Sequence, residues 1–505
     1  MPTTAANNKR IAKNTGMLYI RMFLMMGISL YTSRVVLQTL GVDDFGIYNV
    51  IGGIVVLFSF VNNALIGASQ RFLNFEQGRG DETAVGRVFS VSLMAHLFIA
   101  LLVILLGETV GLWLLYSYIK IPTGRFDAAL WVFHLSVAGA AVNILRAPYN
   151  AAIIAYEKMS AYAYISIIEA VAKLGIVYIL IVSSYDKLEL YALLTFAVVT
   201  IISLCYKLYC NHNFRPTHFH WTWNMPLLKR LLSFSGWSLF GSAATVGVNQ
   251  GINVLQNVFF GVAVNAAMGI ATQVNGAINQ FSSNFQMAFK PQIVKSYASG
   301  DHAYLLSLVC RSSKISYFLL FALSLPVMFA CEEILQLWLG HVPAHAGGLC
   351  RLMLIYSLTE AFSAPLWMVV QAVGRIKRYQ VAVSVVFLLN LPLGYVALKL
   401  GQAPESLLLI QVAVGVLVVA VRLFFVNNLL PEFSIKGYLS KALVPCLAVT
   451  VPSICLAWLT SGMGNGIFGI CLTAAVSLTT VAAMTYLIGL NRNERAFILN
   501  MIKRK

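Results

Sequence analysis

Apolar stretches long enough to cross a membrane alternate with short loops over the whole chain, and positive charge falls almost entirely in every second loop. At about 20 apolar residues per crossing, the chain reads as about 14 spans. They run 14–40, 45–70, 86–106, 127–155, 161–183, 188–211, 232–260, 263–288, 308–331, 349–373, 379–398, 404–428, 437–460 and 465–489. One side collects Lys9, Arg10, Lys13, Arg71, Arg79, Arg87, Lys158, Lys207, Arg215, Lys229 and Arg230. It continues with Lys290, Lys295, Arg311, Lys314, Arg375, Lys377, Arg378, Arg422, Lys436, Lys441 and the basic tail from Arg492. The other side offers only Lys120, Arg125, Lys187 and Lys399. The bias of Lys and Arg toward the cytoplasm places both termini there, as an even number of spans also requires. Such a pattern reads as an all-α, polytopic membrane protein.

Composition excludes the soluble classes. Charged residues are 10% and hydrophobic residues 59%, with a mean hydropathy of +0.79, whereas soluble domains carry about 25% charged residues. A net charge of +17 suggests nucleic acid in a soluble protein. Here the topology bias and anionic lipid heads account for it, and no nucleic-acid partner is expected. A polar N-terminal stretch running into a full-length span leaves no cleavable signal peptide to expect. The eight cysteines are scattered without CxxC spacing and read as small buried apolar residues. No Gly-rich phosphate loop, Walker motif or nucleophile elbow occurs, so neither ATP drive nor a cofactor is expected. His341 and His345 flank Pro343 with no cysteine or carboxylate ligand nearby, and no metal site is expected there.

The chain resembles two copies of one unit. At an offset of 220, Gly41-Val42 meets Gly261-Val262 and Gly80-Asp81 meets Gly300-Asp301. At an offset of 217, Ala147-Pro148 meets Ala364-Pro365, Lys158 meets Arg375 and Tyr162 meets Tyr379. Six spans return the chain to its starting side, so the copies are expected to be parallel. The implied organisation is a six-helix lobe over 1–212, a cytoplasmic interfacial linker over 213–231 and a second six-helix lobe over 232–428. A final helix pair with a basic tail occupies 429–505. Trp221 and Trp223 in the linker suit headgroup depth.

Ionisable groups deep in a span cost about 2.5–3.5 kcal/mol or more, so they face a cavity or a partner. Arg21 is either a cationic cavity wall or an arginine reaching for the surface, and Arg34 leans to the latter. Arg146 precedes Ala147-Pro148, where a proline is expected to disturb the helix and free backbone groups beside a cation. Glu169 and Lys173 stand at i,i+4, as a self-neutralising pair or as a substrate-binding lysine with a titrating carboxylate. Glu360 is either an ion-coupling carboxylate or the partner of a cation on another span. His96, mid-span, could relay protons. Asn249, Asn253 and Asn257 share one face of the seventh span, flanked by Gln250 and Gln256, and the eighth carries Gln273, Asn275, Asn279, Gln280 and Asn284. These amides either glue helices together or line a hydrated cavity able to hydrogen-bond sugar hydroxyls. Asn62, Asn63 and Gln70 stand at the corresponding place in the first copy.

The stretch Leu40-Gly-Val-Asp-Asp-Phe-Gly-Ile-Tyr48, with Gln70-Arg-Phe-Leu-Asn-Phe-Glu76, is similar to the Wzx-type polysaccharide-biosynthesis flippases. These belong to the multidrug/oligosaccharidyl-lipid/polysaccharide (MOP) exporter superfamily. The resemblance implies a MATE-like two-lobed fold in a bacterial inner membrane. It also implies outward translocation of undecaprenyl-diphosphate-linked glycan by alternating access. Membrane lipids and polysaccharide polymerase or ligase machinery are the implied partners. Arg21, Arg34, Arg146 and Lys173 would meet the diphosphate, and the amides the sugars. The alternatives are a cation-coupled multidrug or metabolite exporter of the same fold, a lipid II flippase, and a membrane enzyme. The last would need a large outer loop with clustered acids, and the outer loops near 107–126 and 332–348 lack one, so the chain is not expected to be an enzyme.

Overall fold

The computed structural model describes residues 4–117, 121, 124–340, 342–460, 466–492, 494 and 495. The side chains of Arg34, Asn62 and Asn63, and the whole of His341, lie outside the described residues. All regular structure among the described residues is helical. Eleven helices are long and apolar enough to cross a membrane, and the protein is a multi-pass membrane protein. Two compact units divide the chain, Met1–Leu239 and Phe240–Lys505.

The first unit opens with α1 (Thr4–Arg79), one helical run broken at Gly41, where φ is 80° and ψ 175°. Then come α2 (Glu82–Leu106), the π-helical turn Gly107–Gly111, α3 (Leu112–Ser117), α4 (Phe126–Ala155), α5 (Met159–Val182) and α6 (Lys187–Asn213). α7 (Met225–Phe260) leads into the second unit, which continues with α8 (Val262–Ala298), α9 (His302–Phe329), α10 (Cys331–Leu339) and α11 (Ala346–Val373). α12 (Lys377–Leu388), α13 (Asn390–Lys399) and α14 (Glu405–Leu429) follow. The chain closes with α15 (Ile435–Tyr438), a π-helical turn, α16 (Val444–Thr460), α17 (Gly466–Met484) and a last π-helical turn, Thr485–Gly489. α1 and α8 fall outside the eleven apolar helices. In α8 the cause is the amide series from Gln273 to Asn284, which lowers its hydropathy.

The internal repeat has a backbone counterpart. Gly41 and Gly261 both take positive φ, 80° and 77°. Gly80 and Gly300 do the same at 76° and 77°, and each is followed by an aspartate that caps the next helix. Asp81 accepts from the Ala84 N–H at 2.8 Å and Asp301 from the Tyr304 N–H at 3.0 Å. An N-cap carboxylate satisfies an otherwise orphaned helix donor.

Several expected boundaries move. The expected outer loop 107–126 is helical as far as Ser117, because Gly107 and Gly111 let α2 and its continuation press on α4. A Cβ at Gly107 would sit 2.8 Å from Val137, and one at Gly111 2.8 Å from Phe133. Close backbone approach at small residues is how helices gain packing in lipid. The other expected outer loop, 332–348, contains α10. The expected span 379–398 is one membrane-length run, Lys377–Lys399, interrupted by a turn at Leu389, because Pro392 cannot donate to the Leu388 carbonyl and crowds it. The linker shortens, since α7 begins at Met225. Its extended part lies back along α2, with the His220 N–H donating to Ser90 Oγ at 3.2 Å and Trp223 edge-on to Phe98.

Near the loop between α5 and α6, Arg125 forms a clamp. It donates to Asp44 through Nε at 2.9 Å and Nη2 at 2.6 Å, and to Asp186 through Nη1 and, at 3.2 Å, Nη2. Asp186 also caps α6 through the N–H groups of Leu188 and Glu189. Beneath the clamp, Ile47 and Ile51 of α1 pack on Ala129, Val132, Phe133 and Val137 of α4.

Candidate functional site

In the first unit, four helices assemble a charged cluster with aromatic walls. Arg21 of α1 lays its guanidinium over the Tyr162 ring of α5, 4.6 Å from its centre. Such a contact contributes about 1 kcal/mol. The Arg21 Nε is buried with no hydrogen-bond partner among the described residues. Arg146 of α4 donates to Glu169 Oε2 at 2.9 Å, and Lys173 donates to Glu169 Oε1 at 2.8 Å. Arg146 also covers the Tyr206 ring of α6 at 5.4 Å, and Tyr206 lies in electrostatic contact with Tyr162.

Two expectations change here. The intrahelical pair Glu169–Lys173 is a triad, because Arg146 shares the same carboxylate. The helix disturbance expected beside Arg146 is absent, since α4 runs unbroken from Phe126 to Ala155 with Pro148 inside it. Only the hydrogen bond to the residue four back is lost, and neighbouring helices hold the rest. Arg146 therefore works as a side chain on an intact helix. Nothing in the sequence marks Tyr162 and Tyr206 as site residues, beyond the place of Tyr162 as a landmark of the repeat. His96 is fully buried, and its Nδ1 meets the Ser92 carbonyl at 2.7 Å. A carbonyl only accepts, so Nδ1 carries the proton.

In the second unit the amides divide. Asn275, Asn279 and Ser357 of α11 close a triangle. Asn279 donates to Asn275 Oδ1 at 3.0 Å and to Ser357 Oγ at 2.8 Å, and Ser357 donates to Asn275 Oδ1 at 2.6 Å. This is helix-to-helix glue. Asn249 accepts from Gln411 at 3.4 Å, and Asn253 donates to Gln250 at 3.4 Å, both at the long limit. Asn257, Gln250, Gln273 and Gln280 are exposed on the surface of the unit. Gln256 is fully buried, and both its amide atoms lack a partner among the described residues.

Glu360 has a cation near it on another helix but no hydrogen bond to it, and its Oε1 is buried without a partner among the described residues. Arg422 of α14 lies in electrostatic contact with Glu360, Tyr356 and Tyr379. Arg422 counts with the basic loops in the charge pattern although the expected span 404–428 contains it; the structure places it inside α14 and buried. Tyr379 is the repeat partner of Tyr162, so in each copy the equivalent tyrosine receives a guanidinium. The arginines come from different places, Arg21 on α1 and Arg422 on α14. Among the described residues no cluster of His, Cys, Asp and Glu has the makings of a metal site.

No family model and no curated protein matches the sequence. Solved structures do match. A structure described as the outward-facing conformation of a multidrug resistance MATE family transporter of the MOP superfamily aligns with a TM-score of 0.71 at 12% identity. It covers 86% of this chain and 100% of its own. A MATE in the straight conformation gives 0.71 at 13% identity, over 84% and 97%. The fold is MATE-like. A third neighbour is a MOP superfamily transporter from Pyrococcus furiosus Vc1, with a TM-score of 0.70 at 12% identity over 85% and 99%. Its description states that reverse polarity of the binding pocket suggests a different function. At these identities the likeness concerns the fold alone.

Chemically, the cluster of the first unit can hold an anion. Arg21, Arg146 and Lys173 stand against a single carboxylate, Glu169. Arginine and lysine donors are the groups that bind phosphate oxygens.

Proposed function

We propose that the chain is a flippase for undecaprenyl-diphosphate-linked oligosaccharide, the repeat unit of an O-antigen, capsule or exopolysaccharide. It would move this lipid from the cytoplasmic to the outer leaflet of a bacterial inner membrane by alternating access. The observation that carries the reading is the excess of cations in the first unit's cluster, Arg21, Arg146 and Lys173 against the single carboxylate Glu169. A diphosphate head needs such a surface, and the amides of α7 and α8 offer hydrogen bonds to sugars. Fourteen spans with both termini cytoplasmic, the six-plus-six organisation with a final pair, and hand-over to polymerase or ligase machinery belong to the same proposal. So do the substrate roles of Arg21, Arg34, Arg146, Lys173 and the amides. Glu169 enters as a coupling group, because protonating it would release the two cations it holds for an incoming phosphate, and Glu360 enters as a second, near Arg422.

A second reading is export of drugs or metabolites coupled to a cation, favoured by the multidrug transporter among the structural neighbours. Organic cations need uncompensated carboxylates, and here Glu169 and Glu360 each face a cation. A lipid II flippase would share the phosphate chemistry and differ in its glycan.

Reconstituted transport separates these readings. Purified protein in liposomes receives a fluorescent undecaprenyl-diphosphate oligosaccharide, lipid II, or an organic cation. Movement of the oligosaccharide lipid, lost in Arg146→Ala and Lys173→Ala variants that fold normally, supports the proposal. Export of the organic cation with no movement of either lipid overturns it.

A further inference from the structure

In the second unit, α9 and the two closing helices enclose a cavity of about 750 Å³ at one end of the bundle. Arg311 and Lys314 of α9 line it, with Lys441 from the π-helical turn Leu439–Leu443. Across from them stand the π-helical turn Thr485–Gly489 and, beyond it, Asn491 and Glu494. Two such wide turns facing one cavity form an uncommon arrangement, and single π-turns recur at functional sites.

The two carboxylates at this cavity are already engaged. Glu494 accepts from the Asn491 N–H at 2.9 Å and from Lys314 Nζ at 2.7 Å, while its own N–H donates to Asn491 at 2.9 Å. Lys314 is 4% exposed and also donates to the Gly489 carbonyl at 3.3 Å. Glu432 at the rim meets His302 at 3.1 Å. Arg311 stands differently: its Nε is 3.8 Å from Glu494, too far for a hydrogen bond. Lys441 is exposed and has no carboxylate partner among the described residues. Two cations thus face the cavity with donors to spare, and Leu306, Pro445 and Ile488 give it an apolar edge.

We propose that this cleft binds the phosphate of an anionic phospholipid of the cytoplasmic leaflet, held between Arg311 and Lys441. The guanidinium supplies a planar pair of donors and the ammonium a mobile point charge. The apolar edge and the position at the ends of three membrane-length helices favour a lipid over a soluble anion. The site is independent of the substrate cluster in the first unit and of what the protein transports.

The test uses the full chain in detergent micelles with a photoactivatable phosphatidylglycerol, followed by peptide mapping. Saturable labelling is expected within 303–314 and 434–445. Unlabelled phosphatidylglycerol should compete and phosphatidylcholine should not. The Arg311→Ala/Lys441→Ala variant should bind about tenfold more weakly, the worth of one charge-assisted contact. Lys441→Gln alone, at an exposed position, should weaken binding about threefold and guards against misfolding of the double variant. Lys229→Ala/Arg230→Ala, in another basic segment, should leave labelling unchanged. Undiminished labelling in the Arg311 and Lys441 variants overturns the proposal, as does equal competition by phosphatidylcholine. Equal competition by inorganic phosphate assigns the cleft to a soluble anion and overturns the lipid.

Discussion

Glu157 and Gly374 occupy the same left-handed turn in the two copies of the repeat, at φ 57° and 83°. In the second copy glycine takes this conformation freely. In the first, a glutamate is held there while its carboxylate pairs with Arg10 at 2.8 Å. A non-glycine residue in this region costs on the order of 1 kcal/mol. Glu157→Ala keeps the strain and loses the ion pair, so it should destabilise by about 2 kcal/mol. Glu157→Gly loses the pair but relieves the strain, and should cost less. Thermal unfolding in detergent ranks the two, and equal losses would show that strain is not stored at Glu157.

Arg125 donates to two carboxylates far apart in the chain, Asp44 of α1 and Asp186 just before α6. Arg125→Gln should destabilise by about 2 kcal/mol, the scale of hydrogen bonds to charged groups at a half-exposed site. Arg125→Lys should recover only part of this, since an ammonium cannot present two parallel donors to Asp44. Full recovery by lysine, read from the same melts, would exclude a geometric role.

The clamp also sets an acid limit. Arg125 and the Glu189 and Leu188 N–H groups hold the Asp186 carboxyl below its usual range. A carboxylate with a lowered folded value stabilises fully above its unfolded value, about 3.9, and loses that stability as pH falls through the folded one. Stability from this group should therefore be flat between neutrality and about pH 5, then decline below about pH 4. Asp186→Asn should flatten that acid-side decline, as melting temperature against pH will report.

Arg146 and Glu169 should be strongly coupled. Each single alanine variant leaves a membrane-buried charge with fewer partners, while the double variant removes both charges. A double-mutant cycle should give a coupling of about 1–3 kcal/mol. Additive losses would mean that the pair at 2.9 Å is not maintained in the folded protein.

Gly107→Ala probes the contact between α2 and α4. The added methyl meets both γ-methyls of Val137, at 2.8 and 3.0 Å. Valine in a helix has one favoured rotamer and cannot turn away. A cost of about 1–3 kcal/mol is expected, and Val137→Ala should relieve it.

Much of the helical pattern could be read directly, because hydropathy sees apolar length. The repeat could be read because its landmarks are glycines and aspartates, whose conformations and caps leave few substitutes. Positions that depend on a partner far along the chain could not. Arg422 looks like a loop cation until Glu360, Tyr356 and Tyr379 surround it. Glu169 looks paired to Lys173 alone, since helical spacing reveals neighbours on one helix and is silent about Arg146. Pro392 and Pro148 show the same limit: both are prolines in apolar stretches, and only packing decides which one breaks its helix.

The order of synthesis gives the Arg125 clamp another meaning. Asp44 precedes its arginine by 81 residues and Asp186 follows it by 61, so one partner waits for the other across several crossings. Chains emerge N-terminus first, and the clamp cannot close until Asp186, just before the last helix of the first copy, has arrived. The clamp is thus a contact that forms late, once α1, α4 and the start of α6 have all been made and brought together.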